Sequence, residues 1–380
     1  MRVLMVVRLF SPWIGGAERQ AQKLATKLIE LGVEASVVTG WWFWGTARRE
    51  VIGTVPIFRN FTCWGMFGVK GLRKFGGYLY MLSLFWYLFR QRHQYDIIHV
   101  HLLSYAAFPA VLTGRWFGKK TIIKIANSGL QSDIRRMQQN DMVPGQRQML
   151  PVILGADRII AINHEIMSEL RQAGVPPERI VFTPNGVELN GHCKTDYSLE
   201  DKMIAVFVGR LHPNKGLDML LPAFKHALEK RPELHWQLWL LGDGPFRAEL
   251  ETLAKVLGIS EQVIFYGQVT DVSIYLDQAD IFVLPSRAEG LSNALLEAMM
   301  HGLPCIASDI AGNRDLIKCN QTGLLVKVDD QLDLAEAMLR LADDQTLRQT
   351  IGQAARQIIE DNYSLDIIAR KYIDLYHTLL

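Results

Sequence analysis

What most restricts the fold of this chain is a rhythm: apolar runs of four to six residues alternate with segments whose apolar positions recur every three or four residues. That alternation is the signature of repeated strand–helix units and of parallel sheets. In the first half the strand candidates are Val3 to Val7, Ala35 to Thr39, Ile97 to His101, Thr121 to Ile125, Arg158 to Ile162 and Ile180 to Thr183. In the second half they are Ile204 to Val208, Gln237 to Leu241, Val263 to Tyr266, Ile281 to Leu284, Cys305 to Ala307 and Gly323 to Val326. At 380 residues the chain is too long for one ordinary core, so each half is expected to form its own doubly wound α/β sheet. The polar run from Asn185 to Lys202, with Gly186, Asn190, Gly191, His192 and Asp196, marks the expected seam, dividing the chain into residues 1–190 and 191–363.

Charge divides at the same place. The formal total is only +2, yet residues 1–190 hold 23 Lys and Arg against 12 Asp and Glu, and residues 191–380 hold 18 against 27. The balances of +11 and −9 exclude a polyanion-binding protein of uniform basicity, and no nucleic-acid partner is expected. Cys63, Cys193, Cys305 and Cys319 form no paired spacing, so neither a disulfide framework nor a zinc ribbon is expected, and a reducing cytoplasm is the default. Met1 leads into a strand-length run without the three-part pattern of a secretory signal, so export by that route is not expected. The uncharged, aromatic-rich run from Tyr78 to Phe89 has twelve residues where a spanning helix needs about 20.

The first helix is legible in detail: Ala21, Leu24, Ala25, Leu28 and Leu31 keep helical spacing, and Gly32 stands where a left-handed cap belongs. Seven of the nine tryptophans, Trp13, Trp41, Trp42, Trp44, Trp64, Trp86 and Trp116, lie in the first half. The cluster Trp41, Trp42, Phe43 and Trp44 follows a strand, where it is either a binding surface or a loop packed over the core.

The strongest chemical signal is EGLSNALLE at 289–297, directly after the strand run at 281–285. Asn293 is the expected N-cap of a helix running to Gly302, and the amides of Leu291 to Ala294 precede or open it. A helix N-terminus with uncommitted N–H groups and about half a positive charge seats a phosphate. Glu297 can accept from ribose hydroxyls and Glu289 from those of a sugar. The blander alternative is a capped helix with an ordinary surface glutamate; a glycosidase carboxylate pair is the weaker rival. The second signal is VGRLHPNKGLD at 208–218, again after a strand. Arg210 offers a planar fork and Lys215 a compact charge, together enough to neutralise a diphosphate leaving group, unless both are solvated loop cations. Both loops follow strands of one sheet and open on its carboxyl edge, where doubly wound folds bind ligands. Gly15 and Gly16, between the first strand and first helix, allow close approach of a ligand or form a plain turn, without the dinucleotide spacing. His101 ends its strand on that same edge, either as a functional group or as packing; His99 lies deeper and is expected to be packed. No Asp-x-Asp triplet, phosphate-binding loop of the GxxxxGK[ST] type or GxSxG elbow occurs, so no metal site and no cofactor are expected.

Taken in order, GGAER, DIIHVH, PNGV at 184–187, VGRLxxxKG at 208–216, LGDGP at 241–245, VxFxG at 263–267 and the Ex7E segment at 289–297 resemble the GT4 family of retaining glycosyltransferases over nearly the full chain. The resemblance implies a GT-B architecture, two Rossmann-like lobes with a cleft between them, and a last helix, 364–380, packed back on the first lobe through Ile367, Ile368, Tyr372, Ile373, Leu375, Tyr376 and Leu379. It implies that Arg210 and Lys215 contact the diphosphate of a nucleotide-sugar donor and that Glu289 contacts the sugar. Gly290, Leu291, Ser292 and Asn293 would meet phosphate and sugar through the backbone, Glu297 the ribose, Gly16 the diphosphate, and His101 the sugar and acceptor. Transfer without a metal and with retention, by front-face attack, is part of the same implication. KIANSGL at 124–130 and Asn163, where a serine is usual, depart from the common pattern on the acceptor side.

The leading expectation is therefore a cytoplasmic hexosyltransferase acting on a lipid-linked or polysaccharide precursor. The +11 half and the aromatic loops at 41–44 and 61–67, beside Arg48, Arg49, Lys70, Arg73 and Lys74, add an anionic membrane surface as a partner. The alternative is a catalytically silent GT-B module that binds a nucleotide sugar or partners an active enzyme; an epimerase or phosphorylase of the same fold ranks below both.

Overall fold

A computed structural model describes the chain except for residues 13–14, 44, 63–71, 141–142, 190–192 and 200. Trp13, Trp44, Cys63, Trp64, Lys70, the side chains of Arg73 and Lys74, and Asn190, Gly191 and His192, all named above, lie outside the described residues. The chain divides into two compact units, Met1–Gly186 with Leu365–Leu380, and Val187–Ser364.

The first unit is built on an eight-stranded sheet: β1 Arg2–Val7, β2 Glu34–Gly40, β3 Arg49–Ile52, β4 Val55–Asn60, β5 Ile97–His101, β6 Lys120–Ile125, β7 Arg158–Ala161 and β8 Ile180–Phe182, in spatial order β3-β4-β2-β1-β5-β6-β7-β8. Its helices are α1 Gly16–Glu30, α2 Leu72–Arg90, α3 Ala107–Phe117, α4 Asp133–Gln138, α5 Gln146–Ile153 and α6 His164–Gln172. The second unit carries β9 Lys202–Val208, β10 His235–Leu241, β11 Val263–Gly267, β12 Ile281–Leu284, β13 Cys305–Ser308 and β14 Leu324–Val326, all parallel, in order β11-β10-β9-β12-β13-β14. Around it lie α7 Leu217–Lys230, α8 Arg247–Leu257, α9 Ser273–Leu276, α10 Asn293–Met300, α11 Ala311–Arg314, α12 Gln331–Asp343 and α13 Gln345–Ile358. The chain then returns to the first unit as α14 Leu365–Leu379.

Several strands begin earlier than their apolar runs. Arg2 pairs with Glu34 and His235 with Lys202 at the amino ends of their ladders, so the backbone pairs before burial begins. The hairpin β3–β4 is absent from the expected strands and is antiparallel, so the first sheet is mixed rather than wholly parallel. Its strands are short and carry Arg49, Glu50, Pro56 and Arg59, which hide them from an apolar pattern. The turn between them needs Gly53, held at φ +62°.

Helix α1 buries Ala21, Leu24, Ala25 and Leu28, while Leu31 is only half buried. Gly32 follows at φ +85°, the left-handed position that releases the chain into β2. Against α1 and the sheet lies α14, which buries Leu365, Ile368, Ala369, Tyr372, Tyr376 and Leu379. Ile367, Ile373 and Leu375 are half buried at the margin. The Trp41–Phe43 loop is packed: Trp42 is buried, its Nε1 donates to the Arg8 carbonyl at 2.6 Å, and its ring meets Tyr80 edge-on at 5.2 Å. Trp41 Nε1 donates to the Thr46 carbonyl at 2.9 Å, with Arg48 over its ring.

Candidate active site

Sheet order decides where ligand chemistry gathers. In the second unit β9 neighbours both β10 and β12, so the chain reverses its direction of winding between β9 and β12, and the loops after these two strands flank the crevice that such a reversal leaves. These are the loops of Arg210–Lys215 and of Glu289. Their approach is close: a Cβ on Gly216, itself at φ +67°, would lie 2.0 Å from the Pro285 carbonyl oxygen. Likewise a Cβ on Gly312 would lie 2.2 Å from the carbonyl oxygen of Gly290, so the 289–292 loop rests directly on the start of α11.

The geometry brings two of the candidates into contact. Lys215 Nζ forms a short ion pair with Glu289 Oε1, and that same carboxylate oxygen accepts from Ser286 Oγ at 2.8 Å. Both partners are mostly withdrawn from solvent, so the pair is screened less than a surface one. Arg210 is exposed just beyond the end of β9 and has no ion-pair partner among the described residues. Helix α10 begins one residue away from the expected place: Ser292, not Asn293, is the N-cap, its Oγ accepting from Leu295 N at 3.3 Å. Asn293 is the first helical residue, and no capping box forms because Leu295 stands three after the cap. The amides of Leu291 and Ser292 meet no acceptor among the described residues, while Glu297, one turn into α10, is half buried.

A residue that the pattern did not reveal holds the two loops together. Arg287 donates to both carboxylate oxygens of Asp218 at 2.9 and 2.8 Å, to Asp329 Oδ1 at 2.7 Å and to the Pro213 carbonyl at 2.5 Å. Its own amide donates to the Asn214 carbonyl at 2.8 Å. A planar fork that closes on a carboxylate fixes direction as well as distance. The clue was available, since Arg287 stands two residues before Glu289 on the loop facing the sequence KGLD.

In the first unit the winding reverses between β1 and β5, so the loops carrying Gly16 and following His101 flank that point. Gly15 is the N-cap of α1 in extended conformation, so positive φ is not the reason for glycine there, and Gly16 opens the helix. His101 and His99 are both buried, their rings 4.3 Å apart, and neither Nε2 has a hydrogen-bond partner among the described residues. His99 Nδ1 is 2.7 Å from Tyr376 Oη of α14. Beside His101 in the sheet stands Lys124, also buried, over the ring of Tyr372. Burial pulls the Lys124 ammonium down to about 7 and His99 to about 3. Burial, then the neighbouring His99 and Lys124, holds His101 well below its ordinary value, so its imidazole is neutral.

The departures on the acceptor side have structural roles. Asn163 caps α6, accepting from Ile166 N at 2.7 Å, and donates to Ser128 Oγ at 3.1 Å. Buried Asp133 accepts from the amides of Ala126 and Asn127 at 3.2 and 3.1 Å and from Asn127 Nδ2 at 3.0 Å. Desolvation raises its carboxyl to about 6. Among the described residues no cluster of three or more His, Cys, Asp or Glu could hold a metal ion, and no helix is long and apolar enough to cross a membrane.

Two doubly wound units with these loops at the reversal point of the second define a GT-B glycosyltransferase. Residues 14–190 match the family model "Glycosyltransferase Family 4" and residues 202–344 the model "Glycosyl transferases group 1", and the chain belongs to the GT4 family. It is 27% identical to the N-acetyl-alpha-D-glucosaminyl L-malate synthase of Bacillus anthracis over 76% of each chain. It is 25% identical to an Escherichia coli UDP-Gal:alpha-D-GlcNAc-diphosphoundecaprenol alpha-1,3-galactosyltransferase, over 76% of this chain and 77% of that one. In fold it is similar to the sucrose-phosphate synthase of Thermosynechococcus elongatus, with a TM-score of 0.83, 20% identity and coverage of 100% and 99% of the two chains. It is also similar to HepE of Anabaena in complex with UDP-glucose, with a TM-score of 0.77, 18% identity and full coverage of both. The protein is a glycosyltransferase.

Proposed function

We propose that the enzyme transfers a hexose, with retention and without a metal, from a nucleoside-diphosphate sugar to a lipid-linked or polysaccharide precursor of a cell-surface glycan, working at the cytoplasmic face of the membrane. The observation that carries the donor half is the contact of Lys215 with Glu289 beside exposed Arg210 and the start of α10. In this reading Arg210 and Lys215 take the diphosphate. An ammonium has three N–H donors, so Lys215 can hold Glu289 and a phosphate oxygen together. Glu289 then faces the sugar hydroxyls, and the backbone of Gly290, Leu291, Ser292 and Asn293 receives phosphate and sugar at the positive end of α10. Glu297 takes the ribose. Gly16 is assigned to the diphosphate and the neutral His101 to the sugar and acceptor.

The reaction breaks the bond between the anomeric carbon and the diphosphate oxygen while the acceptor hydroxyl attacks from the same face. Its proton passes to the departing phosphate oxygen. The leaving group gains charge as the bond breaks, so cations fixed in place stabilise that state more than the bound donor. Support for a lipid-linked acceptor comes from the E. coli relative, whose name gives a diphosphoundecaprenol substrate. The test is a screen of nucleotide sugars for release of UDP, GDP or ADP, with Glu289→Ala as the control. No release from any donor, including slow hydrolysis, would overturn the reading.

A further inference from the structure

Phe75, Tyr78, Leu82 and Trp86 recur three and four residues apart on α2, which places them along one stripe of the helix. All four are exposed, Leu82 at 67% and Trp86 at 55%. The stripe continues onto α3, where Trp116 is 64% exposed and meets Phe85 edge-on at 5.7 Å. Trp86 touches Phe89 at 5.6 Å and Phe89 touches Phe117 at 5.4 Å, so the rings of the two helices form one apolar surface. Ser83 Oγ donates to the Phe61 carbonyl at 2.7 Å, bringing a further exposed ring to the margin.

The stretch of sequence that carries this surface is strongly basic. From Val51 to Ser132 the sequence contains ten Lys and Arg and a single acidic residue, Asp96, which is taken by Arg2 at 2.8 Å. Arg92 lies over the rings of Phe89 and Phe117, and exposed Arg115 adjoins Trp116. A symmetric contact between two copies would set this cationic rim against itself. A bilayer bearing anionic headgroups suits both features: apolar side chains reach the acyl boundary, indoles sit at headgroup depth, and guanidinium groups meet lipid phosphates.

We propose that the α2–α3 face docks on the surface of an anionic lipid bilayer, with α2 lying in the plane of the interface and Phe75, Leu82, Trp86 and Trp116 inserted. The surface differs from the Trp41–Trp42 loop that the sequence pattern favours, whose indole groups are taken up by the Arg8 and Thr46 carbonyls. The inference deepens the proposed function and rests on it only for the reason an enzyme of this kind would dock.

The test is sedimentation of the full chain with vesicles of phosphatidylcholine, with or without phosphatidylglycerol, in the absence of donor and acceptor. The wild type is expected to bind the anionic vesicles, less at high salt, and Leu82→Ser, Trp86→Ser and Trp116→Ser each to lower the partition coefficient about tenfold. Arg92→Gln should weaken binding to anionic vesicles only. Val256→Ser, at an equally exposed apolar position of the second unit, should change nothing. Donor hydrolysis in water should be the same in all of them. A wild type that stays in solution, or stripe variants that bind as it does, would overturn the proposal. So would variants that change the mass of the species in solution while vesicle binding is kept, because the face would then join two copies. Vesicle binding without transfer to any lipid-linked acceptor would remove the acceptor reading and leave the docking face supported.

Discussion

The carboxyl edges of the two sheets handle charge in opposite ways. In the second unit Lys215 meets Glu289, Arg287 meets Asp218 and Asp329, and Arg210 stands exposed, so each of these charges has an opposite partner or solvent beside it. In the first unit His99, His101 and Lys124 are buried together with no ion-pair partner among the described residues, and desolvation, reinforced for the two imidazoles by the neighbouring cationic groups, lowers their titration. One edge thus carries paired and exposed charges, whereas the other is buried and responds to pH.

The largest effect is expected on the second unit. Arg210→Ala is expected to lower kcat by about 10²–10³, with a smaller change in KM and none in unfolding midpoint, because the side chain has no ion-pair partner to lose among the described residues. An equal loss in kcat/KM and donor affinity, measured by calorimetry, would show that the cation serves ground-state binding instead.

On the first unit the test is pH. Lys124 titrates near 7 when folded and near 10.4 when unfolded, so between those values the unfolded chain binds more protons and stability rises with pH. Below about 7 the full burial cost is present. His99 and His101 add a loss of stability as pH falls below about 6.5, where their unfolded forms charge first. Asp133 acts in the other direction: stability falls as pH rises from about 4 to about 6, and the full cost is present above that. Lys124→Met should raise the unfolding temperature at pH 7 and flatten its slope from 7 to 10; an unchanged slope would mean that Lys124 has a charged partner after all.

Smaller effects are expected at the contacts that hold the second unit's loops. Arg287→Ala is expected to cost about 1–3 kcal/mol in urea unfolding, a range already reduced for partial exposure, and to lower turnover by loosening both loops. Arg287→Lys keeps the charge but not the fork, and should recover stability better than turnover. Ser292→Ala removes the cap of α10 and should cost about 1 kcal/mol while leaving donor affinity nearly intact, since the backbone amides remain.

Much of this was legible because burial writes itself into apolar runs: β5 and β12 have the expected ends, and the loops of Arg210 and Glu289 follow the strands foreseen for them. The Lys215–Glu289 contact was not legible. Its partners are 74 residues apart, and only the adjacency of β9 and β12 brings them together. The cap moved from Asn293 to Ser292 because both residue types accept equally well and local backbone geometry chooses between them. Trp42 turned inward because its N–H found the Arg8 carbonyl, a long-range partner that composition cannot indicate. Arg287 was overlooked because a lone loop arginine is usually solvated, and its two carboxylates come from distant segments.

The ends of the two sheets bear on how the protein behaves when concentrated. The larger sheet stops at β3 and β8, of four and three residues, and the smaller at β11 and β14, of five and three. Strand addition from a neighbouring molecule would begin on edges too short to template it, and Arg49 and Glu50 place charge on one of them. A crowded solution is therefore expected to fail through the oily stripe of α2, and a mild detergent or added vesicles, rather than agents that melt β-structure, should keep the enzyme dispersed.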